Sequence, residues 1–178
     1  MAAQPTFETD RLRLQPRRRR DLDACYAMNM EPGTVDQIDF PRAGNWSDET
    51  AHRAFLEETF AHRYPPGMGY WTVTLLDAPD QFLGWVLLAP EDMTGPAVET
   101  GWRFTTASRG NGYAPEAAAR LISYGFADLG LHEIVADIHG DNKASRRVAE
   151  KIGMRTDPAR RPTAPGRLLY VAAMHCQA

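Results

Sequence analysis

The residues of this chain most able to do chemistry stand together in Arg109-Gly110-Asn111-Gly112-Tyr113-Ala114-Pro115, between a strand-like run and a helix-like run. Two glycines and an arginine at such a junction suit anion capture. Glycine lets the backbone approach a ligand closely, and the first amides of a helix point outward without intrahelical partners. A phosphate or pyrophosphate is the natural guest, and an ordinary tight turn is the plain alternative. Other chemistries lack their residues. There is no Gly-Lys-Ser/Thr of a nucleotide P-loop, and the loop lacks the full Gly-x-Gly-x-x-Gly of a dinucleotide fold. Cys25 and Cys176 have no neighbours at metal-ligand spacing, so no metal site is expected.

The elements that must hold this loop follow from hydrophobic periodicity. Arg11-Leu12-Arg13-Leu14 alternates as a first strand. Arg17 to Arg20 precede Asp21 and read as a solvated loop at a helix start rather than a phosphate patch, with Leu22, Cys25, Tyr26 and Met30 as the helical stripe. Ser47, followed by Asp48 and Glu49, signals a second helix start, with Ala51, Phe55, Leu56 and Phe60 as its apolar stripe. Tyr70 to Leu76 and Phe82 to Ala89 form a hairpin about Asp77-Ala78-Pro79-Asp80, and Gly84 within it suggests a bulge or a close backbone approach.

Ala97 to Phe104 is the fourth strand and leads into the glycine loop. The helix that follows, Pro115 to Leu129, carries Ala118, Leu121, Ile122, Gly125, Phe126 and Leu129 on one face, with Gly130 at the C-cap place. Glu133 to His139 is the fifth strand. Asn142 caps a last helix in which Ala144, Val148 and Ile152 recur, and Arg167 to His175 closes the chain as a strand. The order is strand, two helices, three antiparallel strands, helix, strand, helix, strand: an α+β layout with a mixed sheet.

At 178 residues, 43% hydrophobic and 10% aromatic, the chain can bury a core as one domain over residues 1–178. A net charge of −3 gives no nucleic-acid footprint, and the basic residues are 18 Arg with only Lys143 and Lys151. Two distant cysteines fit a reducing compartment, and there is neither a leader nor an apolar run of about 18 residues. A soluble cytoplasmic protein is expected, with no nucleic-acid or membrane partner.

Three segments resemble the GNAT superfamily of acyl-CoA-dependent N-acetyltransferases. They are Glu99-Thr100-Gly101-Trp102-Arg103-Phe104 with the Arg109 to Ala117 loop, Asn142-x-x-Ser145-x-x-Val148-x-Glu150-Lys151-x-Gly153-Met154, and the opening Thr9-Asp10-Arg11-Leu12-Arg13-Leu14 with Asp21 beyond it. The opening is similar to the branch that contains the ribosomal-protein N-terminal acetyltransferases. The resemblance implies a GNAT-like fold: a mostly antiparallel twisted sheet with splayed fourth and fifth strands, flanked by about four helices. It implies acetyl-CoA as co-substrate, with the pantetheine arm along Trp102, Arg103 and Phe104. The pyrophosphate would rest on the amides of Arg109, Gly110, Asn111, Gly112, Tyr113 and Ala114. Asn142 would touch the cofactor arm, cap its helix, or both.

The implied reaction is direct attack of an amine on the thioester, which calls for a base, an oxyanion donor and a proton for the thiolate. The resemblance points to Glu99 as the base, with an ordinary surface strand residue as the plain alternative. It places an oxyanion donor on the backbone near Phe104, and gives Glu116 a structural or substrate-binding place. The tyrosine that many members carry to protonate the thiolate is Ala149 here, which leaves Ser145, with its own alternative as a first-turn helix hydroxyl. His139 could also reach the site, although a lone histidine at a strand end is more often structural. The acceptor would be a protein N-terminal α-amine, with a polyamine, amino acid or aminoglycoside, or a non-catalytic acyl-CoA-binding module, as alternatives. The loops 41–47 and 158–166 and the first two helices would set the acceptor; monomer and homodimer stay open.

Overall fold

A computed structural model describes residues 4–34, 48–91, 95–160 and 162–174. Its strands are β1 (Phe7–Glu8), β2 (Leu12–Pro16), β3 (Gly69–Leu75), β4 (Phe82–Pro90), β5 (Val98–Phe104), β6 (Glu133–His139), β7 (Arg155–Thr156) and β8 (Arg167–Ala173). The helices are α1 (Leu22–Asn29), α2 (Glu49–Ala61), α3 (Tyr113–Ala127) and α4 (Lys143–Lys151). Among the described residues the strands form one mixed sheet in the order β1-β2-β3-β4-β5-β6-β8-β7. Every pairing is antiparallel except that of β5 with β6. The expected layout holds, with β1 and β7 added as two-residue edge strands too short to leave a periodic signal.

One face of the sheet packs on α3. Leu12, Leu14, Trp71, Val73, Val86, Leu88 and Phe104 meet Ala117, Leu121 and Ile122 there, with Ile134, Ala136 and Ile138 of β6. Each such aliphatic side chain contributes about 1.5–3 kcal/mol when removed from water. The opposite face carries α1 and α2 over a smaller cluster of Leu22, Cys25 and Leu56, bordered by Tyr26, Phe60, Phe82 and Trp85. Burial holds the Cys25 thiol up at about 11. No helix of the described residues is long and apolar enough to cross a membrane.

Several local expectations shift. The buried positions of α2 are His52, Leu56 and Thr59, because His52 is held inside by Asn29 Nδ2 at 2.9 Å. In α1, Met28 and Asn29 go inside while Met30 is 46% exposed. Asp48 caps α2 through the Ala51 N–H at 3.1 Å, and Ser47 lies outside the described residues. Arg17 is not solvated: its guanidinium lies 4.1 Å from the Phe60 ring centre and 3.7 Å from that of Tyr70. Asp21 ties the chain before α1 to β3, accepting from Thr72 Oγ1 at 2.8 Å and the Arg18 N–H at 2.9 Å.

Gly84 shows both features expected of it. The β3–β4 register slips between Val73 and Thr74 beside it. Its φ is +154°, and a Cβ there would run into the Arg103 carbonyl oxygen and come within 2.7 Å of Phe104 Cα. Gly84→Ala should therefore cost at least about 2 kcal/mol, lowering Tm by about 4–8 °C. A thermal melt of the variant against the parent protein checks this, and an unchanged Tm would disprove it.

Candidate functional site

β5 and β6 share a single residue pair, Glu99 with Val135, in parallel. Each is fully paired on its other side, β5 with β4 and β6 with β8. Past that pair the strands part and open a cleft of about 760 Å³. Its rim is completed by the loop before α3 and by the start of α4. Every expected site residue except Asn111 lines it: Glu99, Trp102, Arg103, Phe104, Arg109, Gly110, Gly112, Tyr113, Ala114, Asn142 and Ser145, with His139 as well.

The loop is built to present N–H groups. Gly110 and Gly112 both have φ of +81°, which only glycine takes without strain, and Gly112 immediately precedes α3. Its carbonyls are drawn inward. Asn111 Nδ2 donates to the carbonyls of Ser108 (3.3 Å) and Arg109 (3.2 Å). Arg11 Nη1 donates to the Asn111 carbonyl at 3.0 Å, and the Glu116 N–H to that of Gly112 at 3.3 Å. Among the described residues, the N–H groups of Gly110 to Ala114 meet no protein acceptor. The Arg109 N–H is already engaged with the Thr106 carbonyl at 3.3 Å. Its guanidinium turns back to the Phe104 carbonyl (3.2 Å) and Thr34 Oγ1 (2.9 Å). The free donors therefore begin at Gly110, on the positive end of the α3 dipole.

Glu116 is the loop's anchor. Its carboxylate accepts from Thr9 Oγ1 at 2.5 Å and from Arg11 at Nε (2.8 Å), Nη2 (2.6 Å) and the backbone N–H (3.2 Å). Burial by itself would raise its pKa, but the hydrogen bonds from Thr9 and Arg11 outweigh that and hold the carboxyl below its ordinary 4.5.

The two faces of β5 differ. Trp102 packs against the main core, whereas Arg103 points to the α1–α2 side. There it donates to Asn29 Oδ1 and lies 5.1 Å from the Trp85 ring centre. Burial, first of all, lowers Arg103 to about 10. Glu99 and Gly101 alternate with Trp102 and so share the Arg103 face. Tyr70 is on that side too, its hydroxyl pushed up chiefly by burial and further by the charge of Glu99.

At α4, Asn142 Oδ1 accepts the Ser145 N–H at 2.9 Å, so the cap is real and uses the amide rather than the hydroxyl. Ser145 is half-buried on the cleft wall, while Ala149 is fully buried in the main core. His139 Nδ1 accepts the Asp141 N–H at 3.3 Å. Two features escaped the sequence reading. Lys143, Arg147 and Lys151 line the cleft four residues apart, a basic stripe that the spacing alone could have revealed. Asp137 lines it from β6, and nothing in the linear pattern marked it. No group of three or more His, Cys, Asp or Glu able to hold a metal occurs among the described residues.

Because the folded pKa of Glu116 is depressed, its stabilising effect is full above the unfolded value and is lost as pH falls through the folded one. Glu116→Gln should destabilise the protein by about 1–2 kcal/mol at pH 7, and the gap to the parent should close below about pH 4. Urea midpoints measured from pH 3 to 7 check this; a gap independent of pH would refute it.

Residues 11–155 match the profile of the Acetyltransferase (GNAT) domain family. The FsC-acetyl coenzyme A-N(2)-transacetylase of Aspergillus fumigatus is 30% identical over 159 residues, covering 85% of this chain and 66% of that protein, just under two thirds of its length. An acetyltransferase from Agrobacterium tumefaciens superposes with a TM-score of 0.78 at 27% identity, covering 94% of each chain. Two further structures share the fold at low identity. The ribosomal-protein-S5-alanine acetyltransferase of Vibrio fischeri is 16% identical with a TM-score of 0.68, covering 95% of this chain and 96% of that one. The spermidine N-acetyltransferase of Vibrio cholerae, in complex with CoA and spermine, is 14% identical with a TM-score of 0.67, covering 92% and 94%. The ribosomal-protein branch is thus one structural neighbour among several. With the profile spanning most of its length, and with a parted strand pair beside a loop of free amides, this chain belongs to the GNAT superfamily of acetyl-CoA-dependent N-acetyltransferases.

Proposed function

We propose that this protein, as one acetyltransferase domain, transfers the acetyl group of acetyl-CoA to a protein N-terminal α-amine. The observation that carries the cofactor's placement is the parting of β5 from β6 next to five unengaged N–H groups. A pantetheine arm fits the gap as an added strand, along the backbone of Trp102, Arg103 and Phe104. Gly110, Asn111, Gly112, Tyr113 and Ala114 offer their amides to the pyrophosphate, with the Arg109 side chain bracing the loop from behind. Asn142 stands beside the arm as well as capping α4. Lys143, Arg147 and Lys151 suit the remaining phosphate charge. The resemblance of the Thr9 to Leu14 opening to the ribosomal-protein branch supports the α-amine acceptor. A second reading, transfer to a small-molecule amine, is favoured by the identity to the A. fumigatus N(2)-transacetylase.

The thioester supplies an acetyl group already activated for acyl transfer. Glu99, at the apex of the gap, takes the proton that the acceptor's ammonium must lose before its nitrogen can form the new C–N bond. A backbone N–H of β5 steadies the carbonyl oxygen as charge gathers on it. Ser145 gives its hydroxyl proton to the sulfur as the C–S bond breaks, and regains one from water. Ala149, closed into the core, leaves no tyrosine for that task.

Three outcomes are expected. Gly112→Asp places a negative charge and a strained side chain in the amide nest, so acetyl-CoA affinity should fall at least about tenfold by calorimetry; retained affinity would refute the loop assignment. Thiol release from acetyl-CoA with N-terminal peptides, polyamines, amino acids and aminoglycosides should single out the peptides. Glu99→Gln should lower kcat about 10²–10⁴-fold with cofactor binding intact. Release with small amines alone would move the acceptor to the second reading, and unchanged kcat would remove Glu99 from the mechanism.

A further inference from the structure

Along β6, Ile134, Ala136 and Ile138 are buried in the main core, so the intervening Val135, Asp137 and His139 face the other side of the sheet. That is also the side of Glu99, Gly101 and Arg103. Glu99 pairs with Val135, and the next same-face positions across the gap are Gly101 and Asp137. Glycine leaves the β5 wall bare there, so Asp137 stands opposite an open stretch of backbone one step beyond the apex. Glu99, Gly101, Arg103, Asp137, His139 and Arg167 all line the cleft.

The Asp137 carboxylate is held from one side only. Oδ2 accepts the Thr163 N–H at 3.0 Å and the Thr163 hydroxyl, and Arg167 Nε lies 3.1 Å from it. The loop that carries Thr163 is pinned again by the ion pair of Arg160 with Glu133. Oδ1 is buried and has no hydrogen-bond partner among the described residues, in a side chain only 5% exposed. Glu116 shows the contrast: as a purely structural carboxylate it has both oxygens engaged. A buried carboxylate oxygen kept without a donor calls for a ligand that brings one.

We propose that Asp137 is the acceptor-binding carboxylate, with Oδ1 receiving an N–H of the incoming ammonium in the gap between β5 and β6. This rests on the reading that the acceptor enters that gap on the Glu99 side. The residue then selects amines that arrive as cations. Arg167 and Thr163 fix the carboxylate, Arg103 and His139 line the same cleft, and Glu99 two positions along the face receives the proton the ammonium gives up.

The test uses benzylammonium and the uncharged benzyl alcohol as probes, titrated into the full-length protein loaded with CoA and followed by chemical-shift changes. The parent protein should bind the ammonium at least about tenfold more tightly than the alcohol. Asp137→Asn should abolish that preference, whereas Thr163→Ala, which loosens only Oδ2, should keep it within about threefold. A parent protein without the preference, an Asp137→Asn protein that retains it, or equal losses in both variants would overturn the assignment. The last outcome would make Asp137 a peg for its loop. Thiol release reports separately on transfer: ammonium binding without turnover would sink the proposed reaction and leave this site standing.

Discussion

Backbone N–H and C=O groups inside a sheet demand partners, and this sheet withholds them at one place. β5 and β6 meet at Glu99 and Val135 and then separate, although each keeps a full ladder on its outer side. The separation is a property of the sheet as a whole. The β3–β4–β5 unit packs on α3, and the β6–β8 unit shares that core through Ile134, Ala136 and Ile138 while also meeting α4. The gap is what remains between two well-formed ladders. An extended ligand with amides of its own is the natural filler, and the rest of the site is arranged around that vacancy in the ladder.

The loop at the mouth of the gap depends on contacts far away in sequence. Arg11, from the start of β2, reaches both the Asn111 carbonyl and Glu116. Thr9 completes the clamp on Glu116. Arg109 faces inward, to Phe104 and Thr34. Carbonyls and cations are thereby consumed within the protein, and the amides are left to point outward. Preorganisation of this kind places donors before any anion arrives, so none has to be reoriented on binding.

On the α1–α2 side the environment is aromatic and cationic rather than aliphatic. Arg17 sits on Phe60 and Tyr70, Arg103 on Trp85, and Arg53 on Tyr26. Against that background the carboxylates of Glu99 and Asp137 are the negative groups on the cleft wall nearest the apex. A cationic acceptor pairs with carboxylates and is repelled by arginines, and this gives those two residues their weight in the proposed reaction.

Much was legible before the fold was known. The glycine loop, the Asn142 cap, the bulge at Gly84 and the strand Glu133–His139 each have a local cause: a positive φ, an orphan amide, a close backbone approach, a period of two. Where expectation slipped, the cause was tertiary. His52 went inside because Asn29 was there to bond it, and Arg17 stacked because two rings from separate elements flank it. Asp137 could not be found from the chain alone. An acidic residue in a strand looks the same whether or not both its oxygens find donors, and its donors come from Thr163 and its charge partner from Arg167. The sequence by itself determined the longer elements, their order and the family, because these rest on residues near one another in the chain. Only the tertiary structure decided which carboxylates share the gap and which oxygen is left without a partner, because those depend on strands that meet at a single pair and then diverge.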